Sequence, residues 1–527
     1  MPPRFRRPEP MTTFELVPDD EREPDDLPGM PDPDDDRPGR LAALRDRVAD
    51  RWRRLSRRSR ATIAASTAVV VLAAATAAVG PGVLDAHDQR QRAAAVRGLP
   101  GAVDDLSQPL AETWDLGSGG TTGTVLADGT VVVTDGEDAV AADPTTGRER
   151  WRRPVGQAPR CGAAVTMGAV RPAVAPDVLV CVGAAAGGPQ VTALDPSGEV
   201  LGTRTVQGRE VLPAGDGAVA VVATTSSLSV SVPVEADEAE RLRAVQRAGW
   251  HAVTLRLEDA VTGDVRGVAS IALDDVDLQT CGYQDGGDSE MILELDPWTF
   301  AGDLTTTQVC DAVVALTSTG AEIPVDDDLA GWPASLPDGR VSVPGRQSRI
   351  FDTSGALVAT VPGAVMSPLV DDQPDGPLVA IGVDRTGQVD GRLTSVTDEG
   401  DVVWSHDVRT LTSVVARVRG TLVLVDGGRV VGLDAATGEE RWAGEKVMRG
   451  GAEGPGEYVL GAVTDGTRVL LVSTTLDGTT RLVAVDLRDG AVAWTRELEA
   501  SPQRIVAAGG HPVLLGTDGA AAHGLGR

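Results

Sequence analysis

VVGLDAATGEERW, Val430 to Trp442, has the form of two short strands joined by a tight turn. Val430, Val431 and Leu433 are strand formers, Asp434 starts the turn, Gly438 closes it, and Glu440 to Trp442 begins the next strand. Such a turn needs a side chain at its start that accepts backbone amide hydrogen bonds and a residue at its end that tolerates positive φ, which is why Asp and Gly stand there. The aspartate is therefore a turn residue before it is a candidate ligand.

The same pattern recurs beyond Leu110. Copies read VAADPTTGRERW at Val140 to Trp151, VTALDPSGEVL at Val191 to Leu201, LRLEDAVTGDV at Leu255 to Val265 and RIFDTSGALV at Arg349 to Val358. They continue as LTSVTDEGDVVW at Leu393 to Trp404 and LVAVDLRDGAVAW at Leu482 to Trp494. Apolar runs such as TVVVTDG and GTLVLVDGG precede the hairpins and supply a third strand to each unit. The anchoring acids Asp143, Asp195, Asp259, Asp352, Asp398, Asp434 and Asp486 are spaced by 52, 64, 93, 46, 36 and 52 residues. Gly147, Gly198, Gly263 and Gly490 close turns as Gly438 does. Several strands per unit at a period of roughly 40 to 50 residues are the signature of a β-propeller blade.

The form "strand, A-L-D, two or three residues, T-G, three residues, W" resembles the repeat of the PQQ-binding-like (quinoprotein-like) β-propellers. That family includes quinone-dependent alcohol dehydrogenases, a lipoprotein that assists outer-membrane barrel assembly, and membrane-anchored bacterial proteins. The resemblance covers Leu110 to Arg527, is strongest over 124–155 and 390–500, and is weak between Asp274 and Ala330. It implies an all-β, PQQ-like propeller over 110–527. The seven anchored copies with one further composite blade make eight, or seven if the stretch from 259 to 352 is irregular. The composite blade follows from the chain ends. After Asp486 one strand pair remains, HPVLLGTDG and AAAHGLGR, without its last strand, and ETWDLG at Glu112 to Gly117 supplies that strand, with Trp114 in the tryptophan position. Pairing the two removes both free sheet edges.

Composition agrees with a turn-rich fold: 62 Gly and 34 Pro accompany an aromatic content of 3%. Residues 1–39 alternate Pro with Asp, Glu and Arg and hold too little apolar surface to offset chain entropy, so the first sixty residues read as a disordered cytoplasmic tail ending in an arginine-rich segment. Ala61 to Leu84 carries no charge and is rich in Ala, Val, Leu and Ile, long enough to cross a bilayer as a helix over 61–84. The arginines preceding it, Arg45 to Arg60, place the N-terminus in the cytoplasm and the propeller outside, with 85–109 as spacer. The net charge of -29 is repelled by nucleic acid and by anionic lipid, which excludes a nucleic-acid partner.

Cys161, Cys181, Cys281 and Cys310 all fall in the exported part and suit two disulfides. Three pairings exist; the local one joins Cys161 to Cys181 and Cys281 to Cys310, because each pair lies within or beside one blade. Two stretches exceed a minimal blade, the helical VEADEAERLRAVQRA at Val234 to Ala248 and the acidic Asp274 to Trp298. Insertions on a repeat scaffold are where partners bind.

The resemblance also implies what an enzyme of this family carries: a quinone over a tryptophan platform, a calcium ion held by acidic and amide groups, an aspartate base and a disulfide between neighbouring cysteines. Here Asn is absent, Lys446 is the single lysine and no two cysteines are adjacent. Trp114, Trp151, Trp404, Trp442 and Trp494 occupy the repeat position, where the indole docks one blade on the next. The expectation is a non-catalytic, single-pass membrane propeller that binds or scaffolds a protein or peptide of the cell envelope, with no catalytic, cofactor or metal residue assigned. The alternatives are a PQQ-dependent dehydrogenase with calcium and a ligand sensor signalling through the single helix.

Overall fold

The computed structural model describes residues 94 and 96–527, apart from 117–122, 164–175, 225–227, 286–289, 326–331, 337, 384–388, 449–456, 476–478, 499–501, 503 and 517–521. Strands follow one another antiparallel in small sheets, each ordered from the axis outward. The second and third strands of a blade are sandwiched between neighbouring blades, so both faces must be apolar. Thr421–Asp426 and Arg429–Asp434 are accordingly buried along almost their whole length. The fourth strand lies at the perimeter. Glu440–Lys446 and Glu149–Pro154 each bury fully a single residue, Trp442 and Trp151. Burying one Leu or Val side chain contributes about 1.5–3 kcal/mol, and the middle strands hold most of these.

Nine blades close the ring, one more than expected. The first eight run from Gly123–Pro154, Gln157–Thr205, Glu210–Ala272, Trp298–Ile323, Ala334–Pro362, Ala364–Asp407, Leu411–Lys446 and Glu457–Leu498. The ninth combines Arg504–Ala508, His511–Leu515 and Ala522–Gly526 with Ala111–Leu116 from the other end of the chain, and Trp114 faces Gly524 across that seam. The additional blade is the fourth, hidden in the 93-residue gap between Asp259 and Asp352. Its turn is anchored by Thr317: Gly320 N donates to Thr317 O at 2.9 Å and Ala321 N donates to Thr317 Oγ1 at 3.0 Å. A hydroxyl closes the turn as a carboxylate does, and the outer strand, Glu322–Ile323, has no tryptophan. Similarly, Thr397 rather than Asp398 anchors the turn of the sixth blade, with Gly400 N donating to Thr397 O, while Asp398 accepts from Arg340 at 2.7 Å.

Two further boundaries differ from the sequence reading. The spacer expected over 85–109 belongs to the propeller from Val96 onward: Val96, Val103, Leu106 and Leu110 are buried, and Val103 N donates to Thr464 O at 2.8 Å. The two insertions are a single structure. Leu228–Pro233, from the connection between the second and third strands of the third blade, pairs with Glu290–Leu295, which pairs with Gly282–Asp285. The helix Glu238–Arg247 packs there through Val245, capped by Asp237, whose carboxylate accepts from Glu240 N at 2.7 Å. Residues 61–84 lie outside the described residues, among which no helix is long and apolar enough to cross a membrane.

Candidate functional site

Antiparallel order within each blade puts the first and third hairpin turns on one rim of the ring, and the second turns and blade-to-blade connections on the other. The first of these rims carries the repeat motif. Asp434 Oδ1 accepts from Ala436 N and Thr437 N, each at 3.0 Å, its Oδ2 accepts from Arg441 at 2.6 Å, and Gly438 closes the turn with φ 72°. Asp143 repeats this with Thr145, Thr146 and Arg150. The Arg150 guanidinium holds the Asp143 carboxyl down to about 2. At Asp259, burial, which raises a carboxyl, is outweighed by Arg266 and the amides of Thr262 and Val261, leaving it at about 2. Asp195 takes Ser197 Oγ and Glu199 N, and Asp486 takes Arg488 N. These carboxylates are committed to their own turns.

Each tryptophan docks on the next turn. The indole N–H donates to the carbonyl of the residue after the anchor: Trp114 to Pro144, Trp151 to Pro196, Trp404 to Ala435 and Trp442 to Leu487, at 2.9–3.1 Å. Gly147, Gly198, Gly438 and Gly490 lie flat under those rings, where a Cβ would collide with the indole. Trp494 completes the series at Leu106 O, 2.8 Å, so the entering segment takes the place of the ninth blade's missing turn. At the third blade Arg204 replaces the tryptophan, donating to Asp259 O and Ala260 O beside Gly263 and pairing with buried Glu258 at 2.6 Å. Arg204 carries no sequence signal, whereas Arg150 and Arg441 are readable in the Arg-Trp pairs that follow T-G.

The opposite rim is chemically different. It bears the three-stranded insertion, and Cys281–Cys310 ties that insertion to the second turn of the fourth blade; Cys161–Cys181 staples the inner hairpin of the second. Beside the insertion a cleft of about 490 Å³ is lined by Arg209, Glu210, Asp296, Trp298 and Phe300. Trp298 is 65% exposed and Trp332 39%, and Phe300 meets Trp332 edge to face at 5.0 Å. Arg209 pairs with Asp296 at 3.0 Å, and burial pushes the Glu210 carboxyl up. Asp296 and Trp298 end the stretch 274–298 that the sequence marks as an insertion; Arg209, Glu210, Phe300 and Trp332 carry no such mark, since only the blade order brings them to it. No group of His, Cys, Asp and Glu among the described residues is arranged to hold a metal ion.

A ring of PQQ-like blades, docked by tryptophans and sealed by its N-terminal strand, is the class of protein these features define. The chain belongs to the family described as outer membrane protein assembly factor BamB, whose profile matches residues 93–249 and 309–524. The unmatched stretch between them includes the strands Gly282–Asp285 and Glu290–Leu295 of the insertion and Trp298 of the cleft. Among solved structures, BamB from Moraxella catarrhalis is similar at 12% identity with a TM-score of 0.39, over 80% of this chain and 100% of that one. The dihydro-heme d1 dehydrogenase NirN is similar at 12% identity and 0.32, over 77% of this chain and 79% of its own. No curated protein matches the sequence.

Proposed function

We propose that the protein is a non-catalytic propeller that binds or scaffolds other proteins of the cell envelope through the rim bearing the insertion, held to the membrane by a helix over 61–84 with its N-terminus in the cytoplasm. The observation that carries this reading is the exposed Trp298 with Arg209 and Asp296 beside it, on the rim that the repeat machinery leaves unused. Tryptophan and arginine are the side chains in which protein interfaces concentrate their binding energy. Membership of a family described as an assembly factor supports an envelope partner.

Site-specific photo-crosslinkers in the full chain in cells test it. Labels at Trp298 and at Val234, both exposed on the insertion rim, are expected to give the same discrete adducts with envelope proteins, and a label at Ala436 on the turn rim none. Equal labelling from Ala436, or no adduct from the insertion rim, would overturn the reading. No cofactor is assigned; stoichiometric uptake of pyrroloquinoline quinone with calcium would replace the binding module with an enzyme.

A further inference from the structure

Trp298 and Trp332 are not used as the repeat uses tryptophan. The five that dock blade on blade each spend the indole N–H on a backbone carbonyl at 2.8–3.1 Å. Trp298 and Trp332 are exposed, and among the described residues the N–H of neither meets an acceptor. Both stand at the insertion rim beside the ring axis. Trp298 opens Trp298–Ala301, the innermost strand of the fourth blade, and Trp332 lies two residues before Ala334–Ser335, the innermost strand of the fifth. Phe300, on the same face of its strand as Trp298, meets Trp332 edge to face at 5.0 Å. The three rings therefore run in one row.

What this row leaves unspent decides what it can hold. Its free polar groups are hydrogen-bond donors, the two indole N–H groups. The carboxylates of the adjoining cleft are already paired, Asp296 with Arg209 at 3.0 Å and Glu210 with Arg160 at 3.8 Å. A ligand covering the row must therefore bring acceptors, and any N–H or O–H donor it presses against the rings loses water without gaining a partner. An ordinary peptide strand carries an N–H at each residue, and a sugar carries several hydroxyls. Strand addition, which would satisfy those N–H groups, needs a longer sheet edge than the 4 residues of Trp298–Ala301. Proline brings the carbonyl without the N–H, and an apolar ring to lie on an indole. In a polyproline II segment the carbonyls have no internal hydrogen bonds and the chain is already extended, so little ordering entropy is lost on binding. We infer that the aromatic row takes a proline-rich segment of the partner in the polyproline II conformation, its rings against Trp298 and Trp332 and its carbonyls on their N–H groups. This rests on the envelope-binding reading above and specifies which part of a partner the rim holds.

Calorimetric titration of the full chain with capped decaproline tests it, beside a capped Gly-Ser peptide of equal length and the hexamer of N-acetylglucosamine. Decaproline is expected to bind at least tenfold more tightly than either. Trp298→Ala should lower that affinity at least tenfold. Trp298→Phe and Trp332→Phe, which keep a ring and lose the N–H, should each lower it severalfold. Both positions are exposed, so these variants should melt at the parent temperature. In cells, a benzophenone photo-crosslinker at Trp298 keeps an aromatic ring in place, and the partner segment joined to it should be proline-rich. No binding of decaproline at about 1 mM, equal binding of the Gly-Ser peptide, tighter binding of the hexasaccharide, or full affinity in Trp298→Ala would each overturn the inference. Adducts on segments without proline would overturn it while leaving the envelope-binding reading in place; no adduct at all would overturn both.

Discussion

Gly438 meets two constraints at once. Its φ of 72° is left-handed, and a Cβ there would stand 2.5 Å from Cε3 of Trp404 in the preceding blade. Gly136 has a similar φ of 63° with nothing within 4 Å of the same point. Alanine at 136 therefore costs the backbone term alone, about 1–2 kcal/mol, whereas Gly438→Ala adds displacement of a packed ring and costs about 2–5 kcal/mol. Urea unfolding of the two variants checks this, and equal losses would contradict the docking role given to Trp404. Aspartate and glycine were legible in the sequence because a local backbone requirement selects them. Thr317, Thr397 and Arg204 were not, because each reaches the same hydrogen bonds with a different side chain. Of the cleft, the sequence showed only the insertion ending at Trp298; Arg209 and Glu210 were illegible because a turn or core position constrains residue type, whereas a binding surface does not.

At the scale of the element, strands sandwiched between blades announce themselves as apolar runs, as TLVLVD does at Thr421–Asp426. The pairing of Leu228–Pro233 with Glu290–Leu295 leaves no such mark, since the partners come from separate connections and meet only once the third blade has formed. The seventh blade holds a similar surprise. Val370–Asp371 pairs in parallel with Ala416–Arg417, adding a fifth strand on the axial side. Arg417, 6% exposed, grips Asp371 with both arms, at 2.8 and 2.6 Å, and donates to Pro377 O at 2.6 Å. In an arginine-rich chain nothing distinguishes this residue from its solvated counterparts. Arg417→Met leaves Asp371 buried without its partner and is expected to cost about 3–5 kcal/mol. Adding Asp371→Leu should recover most of it. A loss below about 1 kcal/mol in thermal or urea unfolding of the single variant would show the strap to be loosely held.

The whole molecule depends on closure. The first eight blades each draw their four main strands from one stretch of sequence, while the ninth draws its outer strand from Ala111–Leu116, and the segment before that strand carries Leu106, the docking point of Trp494, and Asp105, which pairs with Arg527. Closure separates a rim of turns from a rim of insertions, and the functional proposal follows from that separation. Cysteines at Asp115 and His523, which face each other across the seam, measure it most directly. The directly opposed Cys161 and Cys181 already form a disulfide in the second blade, and none of the four native cysteines is free to compete. The double variant is expected to form the new bond on oxidation and to gain up to about 5 kcal/mol from closing so long a loop, seen as a higher melting temperature that reduction reverses. Two thiols that stay free under oxidation would contradict a ring sealed by its N-terminal strand.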